Sequence, residues 1–204
     1  MLITWLGHSC FRLESGGSSL VLDPYEDGAV PGLAPLDVQA DAVYCSHDHR
    51  DHGARGKVRL SGRPCTLAVE TIDCFHDEKR GALRGANRIH IVSDGEVRLA
   101  HLGDLGHIPD ETALRALTGL DALLIPVGGY YTIDAETAER LCELLSPRVV
   151  IPMHYRLGAV GYDVLSELGD FTRLRTDVIR YGTNRFTLTT GTPRQTAVLS
   201  LAGE

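Results

Sequence analysis

The run Ser46-His47-Asp48-His49-Arg50-Asp51-His52 follows directly on the apolar stretch Ala42-Val43-Tyr44-Cys45, and this junction constrains the chain more than any other feature. A buried strand that opens into a dense imidazole and carboxylate segment needs a scaffold that presents strand ends to a shared site. Imidazole nitrogen and carboxylate oxygen bind zinc and similar divalent ions at roughly 2.0–2.2 Å. Alternate residues of an extended strand end face the same side, so His47 and His49 can grip one ion. A helical turn after them would carry Asp51 and His52 towards a second ion. A merely solvated loop has no need of such imidazole density.

Two ions require more donors, and the chain offers them at other strand ends. His76 follows the β-like residues 71–75, Gly103-Asp104 follows residues 97–102, and His154 follows residues 149–152. Further strands are expected at residues 3–6, 10–14, 19–23, 88–92, 122–127, 186–190 and 196–201. A long Pro- and Gly-rich loop is expected over residues 24–41, and Asp94-Gly95 is read as a tight hairpin with positive φ angles. Helices are expected over residues 111–117, after Pro109-Asp110, and around Ala138, Leu141, Cys142 and Leu145, which repeat at helical spacing before Pro147. No repeat or linker divides the chain, so residues 1–204 read as one domain. Strands dominate the first half and α/β alternation the second, which predicts two sheets flanked by helices.

Composition bears on partners. Twenty Lys and Arg stand against 27 Asp and Glu, a formal charge of −7, and no basic block occurs, which argues against nucleic acid as a partner. The N-terminal apolar residues lack a basic flank and are broken by Gly7, His8 and Arg12, unlike a signal peptide. No apolar run approaches the roughly 18 residues of a membrane span. Five scattered cysteines without a CxxC pair suit free thiols in the cytoplasm. Self-association is left open.

The segment SHDHRDH matches the HxHxDH pattern of the metallo-β-lactamase fold, with His76, Gly103-Asp104 and His154 in the order of its other metal motifs. Trp5-Leu6-Gly7-His8-Ser9-Cys10-Phe11, residues 101–107, residues 126–134 and Ile151-Pro152-Met153-His154-Tyr155 resemble the small zinc-dependent hydrolases grouped near ascorbate-6-phosphate lactonase. The resemblance runs from about Leu2 to Tyr155. It implies an αββα sandwich of two mixed sheets flanked by helices. It places His47, His49 and His76 on a first divalent ion, Asp51, His52 and His154 on a second, and Asp104 between them. Zinc is the expected metal, with manganese, iron or nickel as other occupants.

The same resemblance makes Asp23 a carboxylate that orients a ligand, against a plain N-cap before Pro24. A pair of dications held by two carboxylates and a bridging hydroxide stays net positive, which suits a small anionic substrate or a developing oxyanion. Coordination brings the pKa of water from about 15.7 towards 7. The expected reaction is therefore hydroxide attack on an ester, lactone or phosphoester, with Asp51, Asp104 and His107 as catalytic groups. The alternatives are a phosphodiesterase for nucleotides or lipid head groups and a catalytically silent metal-binding protein. His107 reads equally as a proton donor or a helix-entry hydrogen-bonding group. His8 reads as a residue facing the metals or a buttress of its hairpin. Gly129 and Tyr131 read as an oxyanion contact or as a turn with packing tyrosines. Lys79, Arg80, Arg84 and Arg156 are candidate anion contacts or solvated surface.

Overall fold

The computed structural model describes residues 1–201. Strands β1 (Leu2–Gly7), β2 (Cys10–Ser15) and β3 (Ser18–Leu22) form the expected meander, followed by β4 (Val38–Ala40), β5 (Ala42–Tyr44) and β6 (Val58–Leu60). β7 (Ala68–Phe75), β8 (Ala86–Ser93) and β9 (Arg98–His101) lead into the α/β half. That half comprises α1 (Glu111–Ala116), β10 (Ala122–Pro126), α2 (Ala135–Leu145), β11 (Val149–Met153), α3 (Leu168–Thr172), β12 (Val178–Arg180), β13 (Arg185–Thr187) and β14 (Gln195–Val198).

Two mixed sheets result. One runs β13-β1-β2-β3-β5 and is antiparallel except for the β3–β5 pair. The other runs β12-β14-β11-β10-β9-β8-β7, parallel as far as β9 and antiparallel beyond it. Every residue of β10 and β11 is buried, as continuous apolar parallel strands require. One core cluster joins Phe11, Leu13, Leu20 and Leu22 of the first sheet to Ile89, Ile91 and Leu99 of the second. α2 adds Ala138, Leu141, Cys142 and Leu145 to that core, and Asp134 caps it by accepting from Thr137 N–H.

The outer layer of the first half departs from expectation. Cys10 and Val21 point away from the main core and meet Tyr25, Val30, Val38, Ala40 and Val58 in a second apolar cluster. The long loop and a parallel β4–β6 ribbon thus cover this face, and the one helical piece there among the described residues is a 3₁₀ turn, Arg55–Lys57. Pro24, Pro31 and Pro35 remove backbone donors, and Gly28 and Gly32 disfavour helix, so the segment packs as an irregular layer. The hairpin at Asp94-Gly95 also differs. Its last pair, Ser93 with Arg98, leaves a four-residue loop in which Gly95 takes φ +92° and the Asp94 carboxylate accepts from Glu96 and Val97 N–H. α3, β6 and β12 are short and carried no periodic signal.

Candidate metal centre

The C-terminal ends of β3, β5, β7, β9 and β11, with the β1–β2 turn, bring their polar residues together around Asp104. Asp104 Oδ2 lies 3.1 Å from His76 Nε2, 3.2 Å from both His52 Nε2 and His154 Nε2, and 3.9 Å from His47 Nε2. His52 Nε2 is also 3.6 Å from Asp51 Oδ2. Donors sharing one ion at about 2.1 Å stand about 3.0 Å apart at right angles and about 3.4 Å apart at the tetrahedral angle. The His76, His52 and His154 spacings to Asp104 fall within the edges of such polyhedra, whereas His47–Asp104 and His52–Asp51 are longer. Potential ligand atoms of His47, His49 and His76 lie within 4.8 Å of one another, as do those of Asp51, His52 and His154. The segment after β5 is a tight turn rather than a helix, with His52 and Gly53 N–H both donating to the His49 carbonyl.

Neighbouring hydrogen bonds orient the rings of His47, His52 and His76. Asp23 is fully buried and accepts from Ser46 N–H at 2.6 Å, Ser46 Oγ at 2.6 Å and His52 Nδ1 at 2.8 Å. Because Ser46 Oγ gives its proton to Asp23, it accepts from His47 Nδ1 at 2.9 Å. His76 Nδ1 donates to the Tyr131 carbonyl at 3.0 Å. Three rings are therefore held with Nδ1 donating to its neighbour and Nε2 aimed at the cluster, the orientation a metal ligand needs. His47 Nε2, His52 Nε2, His154 Nε2 and Asp104 Oδ1 are buried without a hydrogen-bond partner among the described residues. Buried polar atoms are rarely left so, and several at one point fit a divalent-ion site.

The electrostatics agree. Burial favours neutral His47, lowering its pKa to about 3, and nearby His52 adds to the effect. Burial opposes charge on Asp104, but His154 and His52 outweigh it and hold the carboxyl well below its usual range. Burial likewise opposes charge on His52, yet Asp104 and Asp23 raise it well above normal in the metal-free chain. Asp104 is thus an anion surrounded by imidazoles.

The backbone is shaped for this convergence. His8, Asp23 and His154 all have left-handed backbones, at φ +52°, +46° and +52°. Such strained conformations in side-chain-bearing residues concentrate at functional sites. Gly103, at φ +54°, lets Asp104 approach: a Cβ there would lie 2.4 Å from Asn87 Oδ1 and from Ser46 Cβ. Asn87 in turn accepts from Asp104 N–H and donates to the Leu102 carbonyl. Gly103→Ala is expected to lower stability by about 2–5 kcal/mol, adding the left-handed penalty to overpacking, as read from the urea midpoint of the metal-free protein.

A cleft of about 450 Å³ opens over the cluster, lined by His49, Asp51, His76, Asp104, Arg84, Tyr131 and Tyr162. The larger cavity, about 590 Å³, lies beside it and holds none of the converging ligands. His107 lines that second cavity. Its Nε2 accepts from Phe75 N–H at 3.2 Å and its Nδ1 donates to the Ile108 carbonyl at 2.9 Å. The expectation of a catalytic His107 is therefore corrected: both nitrogens serve the backbone. Gly129 is corrected as an oxyanion donor too, since its N–H donates to the Ile133 carbonyl. Tyr131 does reach the cleft. Of the cations considered, Arg84 lines it, Arg80 lines the other cavity, and Arg156 pairs with Glu167.

Three contributors escaped the sequence reading. Tyr162 places its hydroxyl 3.1 Å from Asp51 Oδ2 and 2.8 Å from the Ala29 carbonyl, bridging Asp51 to the long loop. It lies in irregular chain with no signal to mark it. Asn87 looked like an ordinary residue of β8. Asp77, buried, accepts from the N–H groups of Lys79, Gly81, Leu83 and Arg84, so it shapes the loop that presents Arg84.

A family model described as a beta-lactamase superfamily domain matches residues 2–154. The chain belongs to the metallo-β-lactamase superfamily. Within this superfamily it is similar to a protein described as a proposed Zn-dependent hydrolase from Thermotoga maritima. That likeness has a TM-score of 0.78 and 32% identity over 98% of both chains. A UPF0173 metal-dependent hydrolase of Nitratidesulfovibrio vulgaris is 30% identical over 192 residues, 75% of this chain and 79% of that protein. Another, from Archaeoglobus fulgidus, is 30% identical over 193 residues, 76% of this chain and 83% of that protein. An isothiocyanate hydrolase from Delia radicum gut bacteria, at 12% identity and TM-score 0.67, shares the superfamily fold. No described helix is long and apolar enough to cross a membrane.

Proposed function

We propose that this chain is a metal-dependent hydrolase that uses two divalent ions to cleave a small anionic ester, lactone or phosphoester. The observation that carries the reading is the convergence of imidazole nitrogens on Asp104, with the rings of His47, His52 and His76 oriented by Ser46, Asp23 and Tyr131. His47, His49 and His76 would hold one ion and Asp51, His52 and His154 the other, with Asp104 shared. When bound, such ions supply Lewis-acid chemistry, acidifying water and polarising a substrate oxygen. Zinc suits the donors, and manganese, iron and nickel are accepted by the same set.

The protein's own groups do the rest. Tyr162 and Asp23 hold candidate ligand side chains in place, and Tyr131 and Tyr162 line the cleft above them. Arg84 supports an anionic substrate, because it lines the cleft 5.8 Å from the Tyr131 ring centroid and has no ion pair competing for it among the described residues. Four of the five cysteines are buried and all five are unpaired, which supports a reducing, cytoplasmic setting.

Metal content and turnover test the reading together. A preparation carrying two ions per chain is expected to hydrolyse at least one member of an ester, lactone, thioester and phosphodiester panel. A fully loaded, folded chain inert towards all of them would overturn it. Arg84→Gln is expected to raise KM about 10- to 150-fold for anionic substrates, the worth of a charge-assisted hydrogen bond, and to leave neutral esters unchanged. Steady-state kinetics on a matched charged and neutral pair reads this difference.

A further inference from the structure

His8 is buried in the β1–β2 turn, and neither ring nitrogen has a hydrogen-bond partner among the described residues. A ring serving only to buttress the hairpin would not need this arrangement, because the His8 carbonyl already does that work. It accepts from Trp5 Nε1 at 3.0 Å and from His154 N–H at 3.4 Å. The side chain instead turns into the cluster, its ring centroid 4.1 Å from that of His154 and 5.3 Å from that of His52. His8 Nε2 stands 3.4 Å from Asp51 Oδ2, outside the usual 2.7–3.2 Å of an N–H···O bond. That spacing lies between the edges of about 3.0 Å and about 3.6 Å expected of two donors at 90° and 120° on one ion at about 2.1 Å. Donor atoms of His8, Asp51, His52 and His154 all lie within 4.8 Å of one another.

We propose that His8 is a direct ligand of the second ion, joining Asp51, His52, His154 and the shared Asp104. The inference rests on the two-ion reading above. It makes the two positions unequal. The first ion has four protein donors and keeps room for substrate, whereas the second has five and is nearly enclosed. A five-donor nitrogen and oxygen site favours ions that accept five or six ligands, such as manganese, iron or nickel, over a tetrahedral zinc ion. The left-handed backbone of His8, at φ +52°, fits a side chain held by coordination.

The test uses the full chain labelled with ¹⁵N-histidine and loaded with ¹¹³Cd²⁺. The expected result is two cadmium resonances, one of them coupled to Nε2 of His8, His52 and His154. A second cadmium coupled to His52 and His154 but not to His8 overturns the inference while leaving the two-ion reading intact. Saturation at a single cadmium overturns both. His8→Asn, chosen because Asn tolerates the left-handed region, is expected to weaken the second cadmium on the order of 100-fold or more and to spare the first. Undiminished two-site binding in that variant also overturns the assignment. Should the variant fold poorly by circular dichroism, the coupling pattern of the unaltered chain decides alone.

Discussion

Asp104→Asn is expected to abolish hydrolysis, by at least about 10³-fold, and to weaken metal retention while leaving the core folded. Asn has almost the same shape, and the N–H of residue 104 would still donate to Asn87, so the loop after β9 keeps its anchor. What changes is charge and donor chemistry. The carboxylate oxygen that lies within 3.1–3.9 Å of four imidazole nitrogens becomes an amide, which either presents a weaker neutral oxygen or turns N–H groups towards the ions. Losing several kcal/mol of ion and transition-state stabilisation corresponds to three or more decades in rate. Elemental analysis after dialysis, turnover on the best panel substrate and circular dichroism separate the three effects. Unchanged activity with unchanged metal content would remove Asp104 from the centre of the site.

The candidate cluster was legible because its chemistry is local in sequence. His47, His49, Asp51 and His52 fall in one short segment, and His76, Asp104 and His154 each follow a recognisable strand. The strand pattern was legible for the same reason: buried strands such as β3, β10 and β11 are short apolar runs bounded by turn residues. Contributions made by distant chain were not. Tyr162 reaches Asp51 across 111 residues, and Asn87 clamps Asp104 from the neighbouring strand, so neither leaves a local pattern. His107 failed for the opposite reason. Its position close after Asp104 suggested proximity, but Gly106 N–H donates to the Phe75 carbonyl and the chain turns behind β7, carrying the ring into the adjoining cavity. Among the candidate cations, Arg84 reaches the cleft because Asp77 gathers the N–H groups of its loop, a fold of the backbone that composition does not encode.

Asp23 carries the second large effect, and two substitutions there separate stability from metal binding. Its carboxylate is fully buried and takes three donors from Ser46 and His52. Burial would raise its pKa, but His101, His52 and His47 hold it well below the usual range, so it is a buried anion that the fold depends on. Asp23→Ala strands those donors and puts an ordinary residue at φ +46°, so the metal-free protein is expected to lose about 3–5 kcal/mol. That is a large part of the 5–15 kcal/mol typical of a folded domain, and equilibrium urea unfolding measures it. Asp23→Asn tolerates the same backbone and fills the same space, so its stability loss is expected to be smaller. Its consequence lies in proton direction. With the amide oxygen kept on Ser46 N–H, the NH₂ faces Ser46 Oγ and His52 Nδ1. Ser46 Oγ then accepts from Asn and gives its proton to His47 Nδ1, which drives the His47 proton to Nε2; His52 is forced the same way. Both nitrogens needed by the ions would then carry hydrogen, and metal affinity is expected to fall 10- to 100-fold with the fold preserved. Competition with a chelator of known affinity reads the loss. Wild-type affinity in Asp23→Asn would show that the tautomers of His47 and His52 are not set through Asp23.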